Sequence, residues 1–220
     1  ADNDPLNQRR RRYAENILGS GPSLLRMITE LLDLAKIEAG RMDLRLDAGS
    51  IAEFCESMIN LMRPQADRKR IELTLNMARN IPIVRTDVGK LQQIIFNLLA
   101  NAVKFTPEEG RVDLGAATAD GGPSGSVRLW VKDTGPGIPI EAHEKVFEKF
   151  HQLDGSQTKE HGGTGLGLAI SQELARLLEG RIELDSDLGR GSTFTLVIPV
   201  QLAEKGAALM ADRGQTFISH

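Results

Sequence analysis

The sequence predicts a two-layer α/β sandwich, a mixed sheet with helices on one face, preceded by a long helical stem. Three observations carry that prediction. From residue 47 to residue 200, helical stretches with apolar residues near a 3.6 spacing alternate with short strand-like runs, the pattern of a helix layer on a sheet. The turn-rich run Gly121-Gly-Pro-Ser-Gly125 joins two of the strand-like runs as a hairpin, which makes the sheet largely antiparallel. Before all of this, residues 6–40 carry helical periodicity with no strand pattern.

Taken in order, the stem is marked by Leu6, Tyr13, Ile17, Leu24, Leu25, Ile28, Leu31, Leu32, Leu34, Ala35 and Ile37, and it stops at Gly40. Gly19-Ser-Gly-Pro22 interrupts it, and because proline donates no N–H and clashes with the preceding turn, a kink or a junction of two helices is expected there. The apolar face of such a stem needs a cover, and a second subunit is one source. Ser50-Ile-Ala-Glu53 is a capping box that opens a helix running to about residue 69, with Pro64 bending its last turns. Strands are expected at 42–46, 71–76 and 83–86, and Asp87 caps a helix over 88–105. Residues 111–132 form the hairpin, 133–139 a loop and 141–147 a short helix. Residues 148–163 are polar and lack apolar periodicity, which predicts a mobile loop. A glycine-rich run then opens a helix that ends near Glu179, strands follow at 181–186 and 192–200, and 201–220 reads as a loosely ordered tail.

Composition excludes several classes. A chain of 220 residues with 40 % apolar and 26 % charged content holds one good core and a helical appendage, and no repeat or low-complexity tract is visible. A net charge of -3 and a pI near 5.9 argue against nucleic-acid binding; Arg9 to Arg12 is too short a basic cluster and reads as a solvated helix face. No apolar run is long enough to span a bilayer and no signal peptide opens the chain, so a soluble piece is expected, the cytoplasmic portion of a protein that at full length is either soluble or membrane-anchored. The single Cys55 permits no internal disulfide and, lying among Ile51, Phe54 and Met58 at helical spacing, reads as a small buried residue.

Three motifs carry chemistry. His161-Gly-Gly163-Thr164-Gly165-Leu166-Gly167 feeds straight into a helix; glycines let a ligand approach the backbone, and the first amides of the helix lack intrahelical acceptors, so the run can cradle phosphate. Such runs also simply shape loops. On the helix over 88–105, Asn97, Asn101 and Lys104 fall within an arc of about 60° at 100° per residue, beside the apolar arc of Leu91, Ile94, Ile95, Leu98, Ala102 and Phe105. An amide oxygen can coordinate a hard cation such as Mg²⁺ and the lysine can hold phosphate, or the two asparagines can bridge neighbouring loops. Asp133-Thr-Gly135-Pro-Gly137-Ile138 leaves a strand; its carboxylate can accept a hydrogen bond from an exocyclic amine such as that of adenine, and the glycines let a ring approach, although the same letters make a good turn.

The order and spacing of these motifs, with Phe147-Glu-Lys-Phe150 between them, closely resemble the N, G1, F and G2 boxes of sensor histidine kinases, over residues 47–200. That family sits in the wider superfamily of ATPases and kinases that includes gyrase, Hsp90 and MutL. The resemblance implies a Bergerat-type sandwich with Mg²⁺ and ATP between the helix over 88–105 and a lid at about 148–163. It assigns Asn97 and Asn101 to Mg²⁺ and the phosphates, Lys104 to a phosphate, Asp133 to the adenine amine with Gly135, Gly137 and Ile138 beside the ring, and Gly163, Thr164, Gly165, Leu166 and Gly167 to the phosphate side. Phe147 and Phe150 are expected to anchor the lid. Gly191-Ser-Thr193-Phe194 resembles the family's last motif, with Thr193 near the adenine.

Residues 8–46, above all Leu32-Asp-Leu-Ala-Lys-Ile-Glu-Ala-Gly40, resemble the second helix of the family's dimerisation and phosphoacceptor domain, which gives an expected division into 1–46, 47–200 and a tail at 201–220. The chain departs from the family in two respects: the helix bearing the phosphoacceptor histidine, followed by Glu and Thr-Pro, is not in these residues, and Pro22 sits where a continuous helix is expected. Of His143, His151, His161 and His220, His143 precedes Glu144 but lacks a Thr-Pro. The expectation is therefore a catalytic piece of a larger kinase, homodimeric at full length, whose partners are ATP, a phosphoacceptor histidine helix and a response-regulator receiver domain. A related ATPase and a nucleotide-locked scaffold are the competing readings. Hydrolysing relatives carry a glutamate one turn before the magnesium asparagine, where it can activate water; here that place holds Asn97, a neutral amide that cannot act as a general base.

Overall fold

The computed structural model describes residues 13, 21, 24–25, 27–119, 125–151 and 164–202. The expected break near Pro22, the tip of the hairpin loop at 120–124, residues 152–163 including Gly163, and residues 203–220 lie outside the described residues.

A stem helix over 27–38 leads to β1 (Asp47–Gly49) and α1 (Ile51–Arg68), then β2 (Glu72–Met77), β3 (Val84–Thr86) and α2 (Val88–Phe105). The hairpin β4 (Arg111–Thr118) and β5 (Ser126–Asp133) follows, then α3 (Gly167–Leu177), β6 (Arg181–Asp187) and β7 (Gly191–Pro199). Five strands form one mixed sheet in the order β2-β4-β5-β7-β6; β2 and β4 run parallel and every other pair antiparallel. The parallel pair follows from connectivity, since the chain crosses from β2 to β4 through α2, as parallel neighbours require. β1 and β3 make a separate antiparallel pair.

The core lies between the sheet and the helix layer. Leu114, Leu129, Leu196 and Ile198 from the strands meet Leu91, Ile94, Ile95 and Leu98 from α2, Leu174 from α3 and Leu166 at its N-cap, all essentially sealed from solvent. Burying such side chains contributes about 1.5 to 3 kcal/mol each before chain entropy is subtracted. Cys55 is among them, and burial pushes its thiol pKa up to about 12, so it is a packing residue without thiolate chemistry.

The caps behave as expected. Ser50 Oγ accepts from Glu53 N at 3.4 Å to start α1, which continues through Pro64, and Asp87 Oδ1 accepts from Lys90 N at 3.0 Å to start α2. Elsewhere the structure corrects the expectations. Residues 42–46 are not a strand: Met42, Leu44 and Leu46 do pack alternately against the core, but no strand pairs with them, and Arg45 N donates instead to Asp87 Oδ2 at 2.9 Å. Alternation reports a half-buried extended segment; a ladder needs a neighbour. The short helix at 141–147 is two 3-10 turns, Ile140–Ala142 and Lys145–Phe147. Beyond β7, Leu202 is buried and its N–H bonds Arg85 O at 3.0 Å, so packing continues past residue 200. On α2 the buried arc includes Leu99 and Val103, because α2 has α1 on one flank and α3 on the other, whereas Phe105 is 41 % exposed and lies under Lys104 Nζ at 4.8 Å.

Candidate nucleotide site

The carboxyl end of β5 supplies the acid. Asp133 is buried, and its Oδ1 accepts from Gly135 N at 2.8 Å and from Ser192 N at 3.3 Å. No described residue bonds Oδ2, and that atom is not sealed from solvent. Burial raises the pKa above the ordinary carboxylate value, while the two amide bonds pull it back. The arrangement is one oxygen fixed by backbone and one left to accept from a ligand.

Glycines shape the loop around this acid. Gly137, at φ +71°, and Gly191, at φ +87°, sit in the left-handed region, and a Cβ on Gly191 would run into the carbonyl oxygen of Asp133. Residues 134–138 are tied to the β6–β7 turn: Ser186 Oγ accepts from Ile138 N at 2.8 Å and donates to Gly191 O, and Gly189 N donates to Pro136 O at 2.6 Å. Ser186 and Ser192 are the residues that sequence reasoning missed here. Thr193 pairs with Lys132, and because side chains alternate along a strand, the two share the sheet face opposite Asp133, whereas the backbone N–H of Ser192 reaches Asp133 Oδ1.

Across the helix layer, α2 carries Asn97, Asn101 and Lys104, all half-buried. Asn97 Nδ2 donates to Ser171 Oγ at 2.9 Å, and its Oδ1 fills the space where a Cβ on Gly167 would stand, so this amide links α2 to the first turns of α3. Ser171, almost wholly buried, was the readable signal: a serine on the apolar face of a helix needs a partner. The Asn101 carboxamide bonds no described residue. Lys104 is engaged at its own end of the helix, over Phe105.

The glycine motif opens α3 without a side-chain cap at Leu166, while Thr164 Oγ accepts from Leu166 N at 3.2 Å. Gly165, at φ +69°, lies against the backbone of Phe150 and His151, and Phe150 N donates to Gly165 O at 3.0 Å. The two ends of the 152–163 segment are therefore stapled together through the backbone. The expected roles of the two phenylalanines separate: Phe147 packs edge-on against Phe194 with ring centroids 6.2 Å apart, but Phe150 is 64 % exposed and holds its end through its backbone, not its ring. A cavity of about 400 Å³ lies beside Phe147, lined by His143, Glu144, Glu148, Gln172 and Leu184 as well; it contains none of Asn97, Asn101 or Asp133 and is not this site.

The stem touches the same edge. Thr164 Oγ donates to Glu30 Oε2 at 2.7 Å, Gln93 Nε2 donates to Asp33 Oδ2 at 2.9 Å, Lys149 pairs with Glu38, and Leu34 is buried in the core. No helix among the described residues is long and apolar enough to cross a membrane.

Residues 86–202 match the family model described as histidine kinase-, DNA gyrase B- and HSP90-like ATPase. The chain is 39 % identical over 208 residues to the circadian input-output histidine kinase CikA of Synechococcus elongatus, covering 90 % of this chain and 26 % of that protein. It is 33 % identical over 202 residues to the autoinducer 2 sensor kinase/phosphatase LuxQ of Vibrio cholerae, covering 91 % and 24 %. The chain thus spans about a quarter of the length of the curated relatives it matches. Among solved structures, full-length ShkA in complex with AMPPNP is 35 % identical with a TM-score of 0.77, covering 90 % of this chain and 40 % of that one.

Proposed function

Since the chain belongs to the family of histidine kinase-, DNA gyrase B- and HSP90-like ATPases, we propose that it is the catalytic part of a sensor histidine kinase that moves the γ-phosphoryl of ATP onto a histidine carried by another helix. The observation that carries this reading is Asp133, with Oδ1 held by two backbone amides and Oδ2 open. An acid desolvated in that way gains most from a donor that fits one oxygen, and the exocyclic amine of adenine is such a donor.

In this reading ATP lies with its base at Asp133, Gly135, Gly137, Ile138 and Ser192, and its phosphates towards Asn101, Lys104 and the start of α3. Mg²⁺ fits the residues present: an amide oxygen suits a hard cation, and Asn101 has one to give. Among the described residues no group of three or more His, Cys, Asp or Glu could hold a metal by itself, and Asn101 would hold the ion together with the nucleotide phosphates. When bound, the ion offsets charge on the phosphates. Lys104 adds a point charge, the free amides of Gly167 and its neighbours face the phosphate end, and Asn97 fixes α2 against α3 so that both approach the nucleotide together.

Transfer rather than hydrolysis is favoured by Asn97, whose Nδ2 is committed to Ser171 and which is no base near neutral pH. The stem supports the rest of the proposal. Leu24, Leu25, Ile28, Leu31 and Leu32 are exposed, as expected of residues 1–46 if they belong to a dimerisation and phosphoacceptor domain that a second copy and the histidine-bearing helix complete. A response-regulator receiver domain would then take the phosphoryl group.

The test supplies phosphoacceptor helices carrying the histidine and follows labelled ATP. Acid-labile phosphate on that histidine, exceeding free phosphate released, is the expected result. Rapid hydrolysis with no transfer would overturn the proposal in favour of an ATPase.

A further inference from the structure

The C-terminal end of α2 is held by a lysine from outside the site. The last carbonyls of a helix have no intrahelical partner, and Lys69 Nζ donates to three of the acceptors there: Val103 O at 2.9 Å, Lys104 O at 2.8 Å and Thr106 O at 2.6 Å. One ammonium has three protons, and all three are used on this one turn.

Lys69 is well placed to act as a fixed post. It is the C-cap of α1 in a Schellman end: Ile71 N donates to Ala66 O, Arg70 N donates to Asp67 O, and Arg70 takes φ +51°. Its own carbonyl accepts from Glu109 N at 3.1 Å, and Glu72 N donates to Gly110 O, so the backbone of Lys69 is joined to the chain that leaves α2. Arg70 pairs with Glu108 and Glu109, but those side chains are largely exposed and form only a rim. Partial burial lowers the pKa of Lys69, and nearby Glu108 opposes that shift. The turn has few other polar partners to offer, for Thr106 Oγ1 is itself buried without one.

We infer that Lys69 is a positioning residue for the phosphate end of the nucleotide site, acting through the last turn of α2. Lys104 rides on that turn and Asn101 directly precedes it, whereas Asp133, Ser186 and Ser192 are fixed by β5 and the β6–β7 turn. Loss of the ammonium leaves three carbonyls to find water, and the turn that aims Asn101 and Lys104 loosens while the base end stays in place. This inference rests on the ATP reading above.

Two ligands separate the ends: adenosine, which reaches only the base end, and Mg-AMPPNP, which reaches both. Lys69→Met keeps the stem of the side chain and removes every donor. It is expected to bind Mg-AMPPNP about tenfold more weakly, the scale of a favourable cation at a helix C-terminus, and adenosine as the parent does. Lys69→Arg, which retains charge and donors, is expected to bind Mg-AMPPNP within about threefold of the parent, and amide exchange at 103–106 should quicken in the Met variant alone. If the Met variant does not fold, Lys69→Gln, with two donors and no charge, is read in its place. Equal loss for both ligands, after correction for the folded fraction, or no loss for either, would overturn the inference and leave Lys69 a stabilising residue. A parent chain that binds adenosine and Mg-AMPPNP not at all would overturn the ATP reading instead, and this inference with it.

Discussion

The two ends of the site are built in different ways. At the end proposed for the base, position comes from backbone: a strand terminus, two left-handed glycines, the Ser186 hydroxyl bonding main-chain atoms of two loops, and the Ser192 N–H on Asp133. At the end proposed for the phosphates, position comes from side chains reaching between elements: Asn97 to Ser171, Lys69 to the last turn of α2, Thr164 to Glu30 of the stem. A backbone-built end tolerates almost no added atom, because peptide groups cannot move apart cheaply. A side-chain-built end gives graded losses, and whatever moves the stem can adjust it.

The largest effect should therefore come from one methyl group at the base end. Gly191→Ala puts a Cβ against the Asp133 carbonyl at a φ that L-residues rarely adopt, and should cost about 3 kcal/mol or more of stability, combining backbone strain with a clash against a peptide group. Thermal unfolding measures it, and an unchanged melting temperature would show that this end yields as readily as the other.

Next is the acid. Asp133→Ala should weaken ATP binding by about 1.5 to 3 kcal/mol, the range for a hydrogen bond to a charged group, or roughly 10- to 150-fold by calorimetry. Equal affinity would sink the assignment of the base to this end.

The same residue gives a pH test of opposite sign for folding and for binding. The folded pKa of Asp133 is raised, chiefly by desolvation, so its contribution to the stability of the nucleotide-free chain is present below the unfolded pKa and lost as pH rises through the folded one. At neutral pH the ionised acid is a cost that ligand offsets. Asp133→Asn is expected to raise the melting temperature without nucleotide at pH 7 and to do so less at pH 4, while lowering ATP affinity. A fall in melting temperature at pH 7 would contradict this.

The smallest effect belongs to the stem. Lys149 and Glu38 are substantially exposed, so Glu38→Gln should change stability by less than about 1 kcal/mol. A larger change would show that the stem clasps the phosphate end more firmly than an exposed pair can.

Much of this was legible in the letters. The 3.6 period, the Asp87 cap and the polar edge of Asn97, Asn101 and Lys104 are properties of one helix, fixed by residues within a few positions of each other. Asp133 and its glycines were legible because a strand exit followed by Gly-x-Gly is local turn chemistry. Residues 42–46 were misread as a strand because alternation records only which side of a segment is buried, and the faces on which Ser192 and Thr193 fall needed a register that the sequence does not contain.

By itself, then, the sequence determined the long helices, the strands of the main sheet and the helix caps, since each depends on backbone preferences over a turn or two. Only the tertiary structure decided that Ser192 meets Asp133, that Asn97 locks α2 to α3, that Phe150 works through its backbone, and that Lys69 closes the end of a helix 34 residues away. Those are pairings between groups far apart in the chain. A hydrogen bond at 3 Å depends on how two elements happen to be packed, and no local periodicity encodes that distance.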